Sequence, residues 1–167
     1  MRANNKSNQL NDPGLAWAPY KPDKNQPWDL RKAGHLLRRA AFGANWEQLK
    51  EALKNGPETT IEKLLNPKID TTSFNFEYEA YEKRSAGSES TETLGAWWLR
   101  RIINTPNPLL ENLTFFWHNY FAVSNAKVKS AAIMQQRIKS LRYHALGDFK
   151  GLLQNLYHDP AMFVSFD

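Results

Sequence analysis

The chain has 167 residues, 41% of them apolar and 13% aromatic, which is enough to bury a hydrophobic core in one domain of ordinary size. It contains no cysteine, so disulfide bonds, thiolate catalysis and thiolate-bound zinc or iron–sulfur clusters are excluded. The formal net charge is +5, and residues 1–40 account for the excess, because they hold eight Lys or Arg against three Asp.

Residues 1–27 are predicted to form an extended or partly disordered arm, because they contain four of the nine prolines and little periodicity. Trp17, Tyr20 and Trp28 are large rings for a linker, so we expect the arm to lie along a helical domain of residues 28–167. No apolar run follows the first basic residues, and none elsewhere reaches the roughly 20 residues of a membrane helix. The sequence therefore predicts no signal peptide and no transmembrane segment; the location is unknown, with the cytoplasm as the default.

Helix start and stop residues predict a chain of helices. Asn45 and Gln48 have the spacing of a capping box, and Pro108 follows Asn107 at the first position of another helix. The predicted helices span about residues 29–43, 45–56, 58–65, 88 or 90 to 104, 107–124 and 126–146, and two more start at about 148 and 159. The fold class is therefore all-α, a multi-helix orthogonal or bundle-like domain with the N-terminal arm beside it.

Apolar residues mark the buried faces of two of these helices. In the first helix, Leu36, Leu37 and Ala40 are expected to face inward. In the helix of residues 126–146, apolar residues recur at alternating steps of three and four, which is typical of a helix packed against helices. The members of this seam are Ala131, Met134, Ile138, Leu141 and Ala145.

Residues 68–90 have the least decisive pattern. Phe74, Phe76 and Tyr78 alternate with polar residues as in a strand, but no partner strand is visible elsewhere in the sequence. We predict a loop that leads into a short helix.

The stretch LTFFWHNYF at residues 113–121 is predicted to belong to a core helix. On a helical wheel its helix has one broad apolar arc, expected to face the core, and one polar arc. The apolar arc contains Leu109, Leu110, Leu113, Phe116, Trp117, Tyr120, Phe121 and Val123; the polar arc contains Glu111, Asn112, Thr114, His118 and Asn119. Phe115 interrupts the polar arc, which indicates that this side faces protein or a cleft rather than open water.

The polar arc supplies the candidate catalytic residues, Glu111, Thr114, His118 and Asn119. Glu111 and His118 are two turns apart, about 10.5 Å of rise, so a direct dyad is not expected. A hydrogen-bonded chain through Thr114 would join them and fix the tautomer of the histidine. The other interpretation is an amphipathic helix whose His118 and Asn119 tie neighbouring segments together by hydrogen bonds.

A metal ion at His118 would need two or three further ligands. The available donors are His35, His144, His158 and Asp159, which have no recognised ligand spacing. His35 is interpreted as a solvent-facing or core-edge histidine. Asp159, which Pro160 follows, is either a helix N-cap or a ligand-binding residue. The sequence establishes no metal site and predicts no particular cofactor.

Arg100 and Arg101 are candidate ligand-binding residues, because guanidinium groups next to Trp97 and Trp98 could clamp a carboxylate or a phosphate. The other interpretation is structural. Basic residues at the end of a helix stabilise its negative pole without binding any ligand.

Nucleic-acid binding is not favoured, because basic residues after position 126 scatter around the helix instead of sharing one face. These residues are Lys127, Lys129, Arg137, Lys139 and Arg142. The N-terminal arm, with Arg2, Lys6, Lys21 and Lys24, is the remaining basic segment that nucleic acid could contact. A Gly-x-Ser-x-Gly motif and a Gly-rich phosphate loop are both missing from the sequence.

Several ordered motifs resemble a bacterial family catalogued as domain of unknown function 1800, over about residues 17–167. The motifs are HLLRRAAFG at 35–43, LGAWWLRR at 94–101, TPNPLLENLTFFWHNYF at 105–121, Lys127-Val128, LRYHALGDF at 141–149 and DPAMFVSFD at 159–167. Family members commonly read Phe-Trp-His-Asn-His-Phe, whereas Tyr120 takes the place of the second histidine here. This departure argues against a two-histidine metal site.

The resemblance implies that a segment rich in Asn, Glu and Arg follows the last motif. We therefore expect this chain to be the front part of a longer family domain, truncated at its C-terminus. The family supplies no established activity. The leading hypothesis is a structural or partner-binding domain, with a protein partner and an oligomeric state that the sequence does not specify. The alternative is an enzyme or metal-dependent hydrolase that uses the His118 face together with a C-terminal segment.

Overall fold

A computed structural model describes residues 14, 18–87 and 90–166, which contain nine helices and no strand. The helices are α1 (Leu30–Ala40), α2 (Trp46–Leu65), α3 (Thr72–Gly87), α4 (Thr91–Asn104), α5 (Pro108–Tyr120), α6 (Asn125–Val128), α7 (Ala131–His144), α8 (Phe149–Tyr157) and α9 (Pro160–Phe166). The predicted all-α fold is confirmed for this part of the chain. None of these helices combines the length and the apolar character that a bilayer crossing requires.

Residues 18–29 form no helix and lead into α1. The ring centroids of Tyr20 and Trp28 are 6.2 Å apart, and the indole Nε1 of Trp28 donates to the carbonyl of Ala52 in α2 at 3.0 Å. Tyr20 therefore packs on Trp28, which is itself hydrogen-bonded to α2. Trp17 and most of the residues before it lie outside the described residues.

Side-chain caps start the helices where the sequence predicted them. Asn45 accepts the backbone N–H of Gln48 at 2.9 Å, and the Gln48 side chain accepts the backbone N–H of Asn45 at 2.8 Å. Asn107 accepts the backbone N–H of Leu110 at 3.3 Å, and Pro108 occupies the first position of α5. The predicted capping box and the Asn107-Pro108 start are confirmed.

Helix α2 is interrupted at Gly56, whose φ of 75° and ψ of 173° lie outside the helical region. Pro57 follows at the first position of the second segment, where its missing N–H costs no hydrogen bond. The Thr60 hydroxyl donates to the Gly56 carbonyl at 2.6 Å. The predicted break at Gly56-Pro57 is confirmed.

Helix α3 corrects the prediction of a loop leading into a short helix, since it begins already at Thr72. Phe74 and Tyr78 stand one helical turn apart, with ring centroids 4.4 Å from each other. Tyr78 is 2% exposed, whereas Phe76 is 78% exposed, so the three rings do not share one side. The backbone carbonyl of Tyr78 accepts the indole N–H of Trp97 at 3.3 Å. A contact with a distant residue, Trp97, therefore accompanies the helical conformation of a segment whose local pattern resembles a strand.

The prediction of one long helix over residues 126–146 is wrong at its start. Helix α5 ends at Tyr120, four residues earlier than predicted, and the short α6 separates it from α7. Lys129, with φ of 48°, closes α6 in the left-handed conformation, and the Ser130 hydroxyl caps α7. Lys127 Nζ donates to the Ser165 carbonyl at 2.8 Å. This contact with α9 accompanies the break between the two helices.

In the described part of the chain the core consists of three clusters, and all five residues of the predicted α7 seam are buried. The first cluster joins α3, α4, α6, α7 and α9 and contains Tyr78, Leu94, Trp97, Trp98, Val128, Met134, Ile138 and Ala161. The second joins α1 and α2 and contains Ala33, Leu37 and Ala52; the third contains Leu141, Leu152 and Leu156. Of the α1 residues predicted to face inward, Leu37 is buried, and Leu36 and Ala40 are half-buried.

We expect Gly56→Ala to lower the free energy of unfolding by about 1–3 kcal/mol, because a side chain is strained at this φ and ψ. Gly95 in α4 is the matched control, since at both glycines nothing lies within 4 Å of an added Cβ. Gly95→Ala is expected to stabilise the helix by about 0.5–1 kcal/mol. Urea unfolding followed by circular dichroism measures both changes. Equal effects would contradict the role given to Gly56.

Candidate functional site

Helix α5 buries Glu111 and Thr114 of its polar arc, the side that was expected to face protein or a cleft, and exposes part of its apolar arc. Glu111 and Thr114 are 1% and 0% exposed, whereas Phe116 and Tyr120 are 47% and 67% exposed. The other members of the predicted apolar arc are half-buried. The prediction of an inward apolar arc is therefore wrong for the two most exposed rings. The physical reason is that two arginines of neighbouring helices bind the Glu111 carboxylate.

The Glu111 carboxylate accepts four hydrogen bonds inside the protein. Oε1 accepts from Arg101 Nε and from Arg142 Nε, both at 2.8 Å. Oε2 accepts from Arg142 Nη2 at 3.0 Å and from the indole N–H of Trp98 at 3.4 Å. An ionised carboxylate has about four acceptor sites. The cluster of these four residues, the Glu111 cluster, therefore leaves the carboxylate no capacity for a substrate or a metal ion.

Aromatic rings and an amide hold the two arginines in place. Arg101 Nη2 donates to Asn75 Oδ1 at 2.9 Å, and its guanidinium carbon lies 5.0 Å from the centroid of the Phe74 ring. The guanidinium carbon of Arg142 lies 5.8 Å from the centroid of the Trp97 ring. Cation–π contacts of this kind stabilise partly desolvated cations. The cluster thereby joins α3, α4, α5 and α7.

Burial by itself raises the pKa of the Glu111 carboxyl. The hydrogen bonds and positive charges of Arg142 and Arg101 outweigh burial and hold that pKa below its ordinary value. The group is therefore an ionised, fully paired carboxylate at neutral pH. A general acid or base needs a pKa near the working pH, and Glu111 does not meet that requirement.

Thr114 does not connect Glu111 with His118. Its hydroxyl donates to the Leu110 carbonyl of the same helix at 2.7 Å, and its side chain is completely buried. Within the described ranges, no hydrogen bond links Thr114 to either of the two residues it was predicted to join. The predicted hydrogen-bonded chain along α5 is therefore not formed.

His118 lies against the Glu111 cluster, with its ring centroid 4.8 Å from that of Trp98 in an edge-on arrangement. Its Nδ1 atom is buried and has no hydrogen-bond partner among the residues that the structure describes. Burial, followed by the positive charge of Arg137, lowers the pKa of His118, and a hydrogen bond with the exposed Asn119 opposes this change. The imidazole is therefore neutral at neutral pH, with one buried nitrogen unpaired.

A second buried ion pair lies at the far end of α5. The guanidinium of Arg137, whose side chain has no exposed surface, donates to Asp159 Oδ2 and to the Phe121 carbonyl. The second oxygen of Asp159 accepts the backbone N–H of Ala161 at 2.9 Å. Asp159 thus caps the start of α9 and pairs with α7. In the described part of the chain, Arg137 Nε has no hydrogen-bond partner.

Sequence reasoning did not identify Arg137 and Arg142 as residues of a site, although helical spacing contained a signal. Arg137 stands three residues after Met134 and four before Leu141. Arg142 stands four residues after Ile138. Residues at these steps share a helix face, so both arginines could have been placed beside the apolar seam of α7.

The two predicted clamp arginines separate in the structure. Arg101 enters the buried Glu111 cluster, whereas Arg100 is exposed. Arg100 Nη2 lies 3.4 Å from the Glu77 carboxylate, and its guanidinium carbon lies 4.5 Å from the centroid of the Tyr81 ring. A joint clamp of Arg100 and Arg101 on one ligand is therefore not formed.

The predicted metal donors lie in different parts of the fold. His35 on α1 and His158 after α8 are exposed, and His144 at the end of α7 is half-buried. Among the described residues, no three His, Asp or Glu side chains are grouped as a metal ion requires. His118 is therefore not accompanied by a set of ligands in this part of the chain.

Glu111→Gln is expected to lower the free energy of unfolding by about 3–5 kcal/mol, because an amide leaves the charges of Arg101 and Arg142 unpaired in the interior. Glu77→Gln is the control, since the Glu77–Arg100 pair is 57% and 50% exposed and its loss costs less than about 1 kcal/mol. Urea unfolding at neutral pH compares the two variants. A loss as small as that of Glu77→Gln would contradict the role of the Glu111 cluster.

His118 is expected to make the fold less stable as the pH drops below about 6.5. Because its pKa is lowered in the folded state, the unfolded chain binds the proton at a higher pH than the folded chain does. Its contribution is complete above the ordinary histidine pKa and is lost as the pH falls through the lowered one. His118→Gln should remove this part of the pH dependence, measured by urea unfolding between about pH 5 and 8. The same dependence of the free energy of unfolding on pH in the parent and the variant would contradict this role of His118.

Comparison with known proteins identifies one family over most of the chain. A family model described as protein of unknown function (DUF1800) matches residues 35–167. No curated protein and no solved structure matches the chain. The matched region begins within α1 and includes the Glu111 cluster, His118 and the Arg137–Asp159 pair. The resemblance of the sequence motifs is thereby confirmed, and the chain belongs to the DUF1800 family.

Proposed function

We propose that this chain is a non-catalytic helical domain that binds an apolar helix of a protein partner through an exposed aromatic face. The aromatic face consists of Phe116, Trp117, Tyr120, Phe121 and Phe149. One observation carries the proposal: these rings contact one another in a continuous series, and three of them, Phe116, Tyr120 and Phe149, are exposed.

Contacts between rings make the aromatic face continuous. The centroids of Phe116 and Tyr120 are 5.9 Å apart, those of Trp117 and Phe121 are 5.8 Å apart, and those of Trp117 and Phe149 are 5.7 Å apart. Trp117 and Phe121 also pack on the third core cluster. Trp117 and Phe121 therefore attach the aromatic face to the core, while Phe116, Tyr120 and Phe149 supply its exposed area.

The composition of the aromatic face indicates an apolar partner. Single exposed apolar residues are ordinary, but a contiguous patch marks an interaction site. Interface cores are enriched in aromatic residues and depleted of charge. Within the described ranges, none of the five rings takes part in a cation–π contact. Phe116 and Tyr120 stand at i and i+4 of α5, a spacing that forms a ridge able to fit the groove of another helix.

The Glu111 cluster supports a structural role for the polar edge of α5. Its carboxylate is fully occupied by donors of this chain, and its two arginines stack on aromatic rings. A catalytic carboxylate would need a free lone pair or a free proton near substrate. The cluster instead orients α5 and so determines which side of that helix is presented to a partner.

The alternative, an enzyme or a metal-dependent hydrolase, stays a prediction. Of its four candidate residues, Glu111 is fully paired, Thr114 donates within its own helix, and Asn119 is exposed. Among these four, His118 alone has a buried polar side-chain atom without a partner. One neutral imidazole without neighbouring ligands or a paired acid or base does not specify a reaction.

Photocrosslinking tests the proposed partner surface. A benzoylphenylalanine at position 116 or 120 of the full-length protein, in its own cells, is expected to give one discrete adduct with a partner polypeptide. Position 143 is the matched control, because Tyr143 is 84% exposed and lies outside the aromatic face. The purified partner should then bind the Phe116→Ala/Tyr120→Ala variant at least about tenfold more weakly, as measured by calorimetry. Tyr143→Ala should leave the affinity unchanged.

Three outcomes would contradict the proposal. No adduct at positions 116 and 120 would leave the aromatic face without a partner. An equal yield of the adduct at position 143 would show non-specific crosslinking. An adduct with another part of the same polypeptide would show that the protein covers the face by itself.

A further inference from the structure

A groove of 820 Å³ lies between α1, the segment before it and the second half of α2. Leu36, Pro57 and Ile61 contribute its aliphatic lining, and Tyr20 and Trp28 contribute aromatic rings. Its volume is in the range of small-molecule sites, about 300–1,000 Å³. It is separate from the aromatic face on α5 and does not depend on the function proposed above.

Four cationic side chains line the same groove: Arg31, Lys32, Arg38 and Arg39. The three arginines are exposed and form no ion pair in the part of the chain that the structure describes. The described lining residues include no Asp or Glu. Positions 31, 38 and 39 lie at i, i+7 and i+8, so they form a strip along one face of α1. Unbalanced positive charge therefore borders an apolar surface.

The aromatic wall of the groove is held in place by hydrogen bonds. The indole N–H of Trp28 donates to the Ala52 carbonyl at 3.0 Å, and the Tyr20 hydroxyl donates to the Gln26 carbonyl at 2.9 Å. Lys32 Nζ donates to the Pro27 carbonyl at 2.9 Å and lies 4.8 Å from the centroid of the Tyr20 ring. Lys32 thus holds the Tyr20 ring of the wall in place. The three arginines are therefore the cations that could bind a ligand.

We infer that this groove binds a soluble single-chain anionic amphiphile, a molecule with a carboxylate or phosphate head group and an apolar chain. A guanidinium donates two parallel hydrogen bonds to such a head group. The aliphatic and aromatic lining removes the chain from water. A small inorganic anion leaves the apolar lining uncovered, and a neutral amphiphile leaves the arginines unpaired. The positive surplus of the whole chain lies within residues 1–40, which include these arginines.

Calorimetric titration of the full chain with decyl phosphate, kept below its micelle concentration, tests this inference. Inorganic phosphate carries the head group alone, and decyl maltoside carries the chain on a neutral head. Decyl phosphate is expected to bind at one site, at least about tenfold more tightly than either of the other two probes.

Charge-removing variants locate the site. Arg38→Gln/Arg39→Gln is expected to weaken decyl phosphate binding by about tenfold or more, because charge-assisted hydrogen bonds to the head group are lost. Arg31→Gln/Arg39→Gln is a second variant with the same expected loss. Lys54→Gln/Lys68→Gln, two exposed lysines outside the lining of the groove, removes the same charge and should bind like the parent. Circular dichroism confirms that each variant is folded.

Four results would overturn the inference. Equal affinity for decyl maltoside would show a merely apolar surface, and equal loss in the lysine control would show non-specific attraction. Equal affinity for inorganic phosphate would show that the apolar lining contributes nothing. Binding to acidic phosphatidylglycerol vesicles without binding of the soluble amphiphile would assign the basic strip to a membrane surface.

Discussion

The buried carboxylate of Glu111 is the constraint on which the rest of the structure depends. A charge in the interior is tolerated only when hydrogen bonds and opposite charges replace the water that it loses. Arg101 of α4 and Arg142 of α7 supply both, and Trp98 donates the fourth hydrogen bond. A rotation of α5 would leave two positive charges unpaired. The cluster therefore holds α4, α5 and α7 in one relative orientation, and Arg101 extends it to α3 through Asn75.

The exposed aromatic face follows from that orientation. The apolar arc of α5 is broad, and with the polar edge turned inward only part of it reaches the third core cluster, through Trp117 and Phe121. Phe116 and Tyr120 then face outward. Burial of the ion pair and exposure of the rings are two consequences of one helix rotation. This coupling links the architecture of the DUF1800 chain to the partner surface that we propose.

Arginine has opposite roles in the two halves of the structure. Arg101, Arg137 and Arg142 lie inside and are paired with carboxylates. The arginines of α1 form no such ion pair within the described ranges. Asp29 accepts the backbone N–H of Lys32 at the start of α1, and Glu51 pairs with Lys63 within α2. The positive charge of the sequence is therefore concentrated where an apolar groove also lies.

The sequence by itself determined the all-α class, most helix starts, the break at Gly56 and the buried seam of α7. Each depends on residues a few positions apart, such as the Asn45 capping box. Only the tertiary structure decided which side of α5 is buried. Apolar spacing predicts an inward apolar arc, but Glu111 binds arginines 10 and 31 residues away. The same reason applies to α3, where Tyr78 meets Trp97, 19 residues later. Contacts between distant residues outweigh the local sequence pattern, and the local pattern does not predict which distant residues meet.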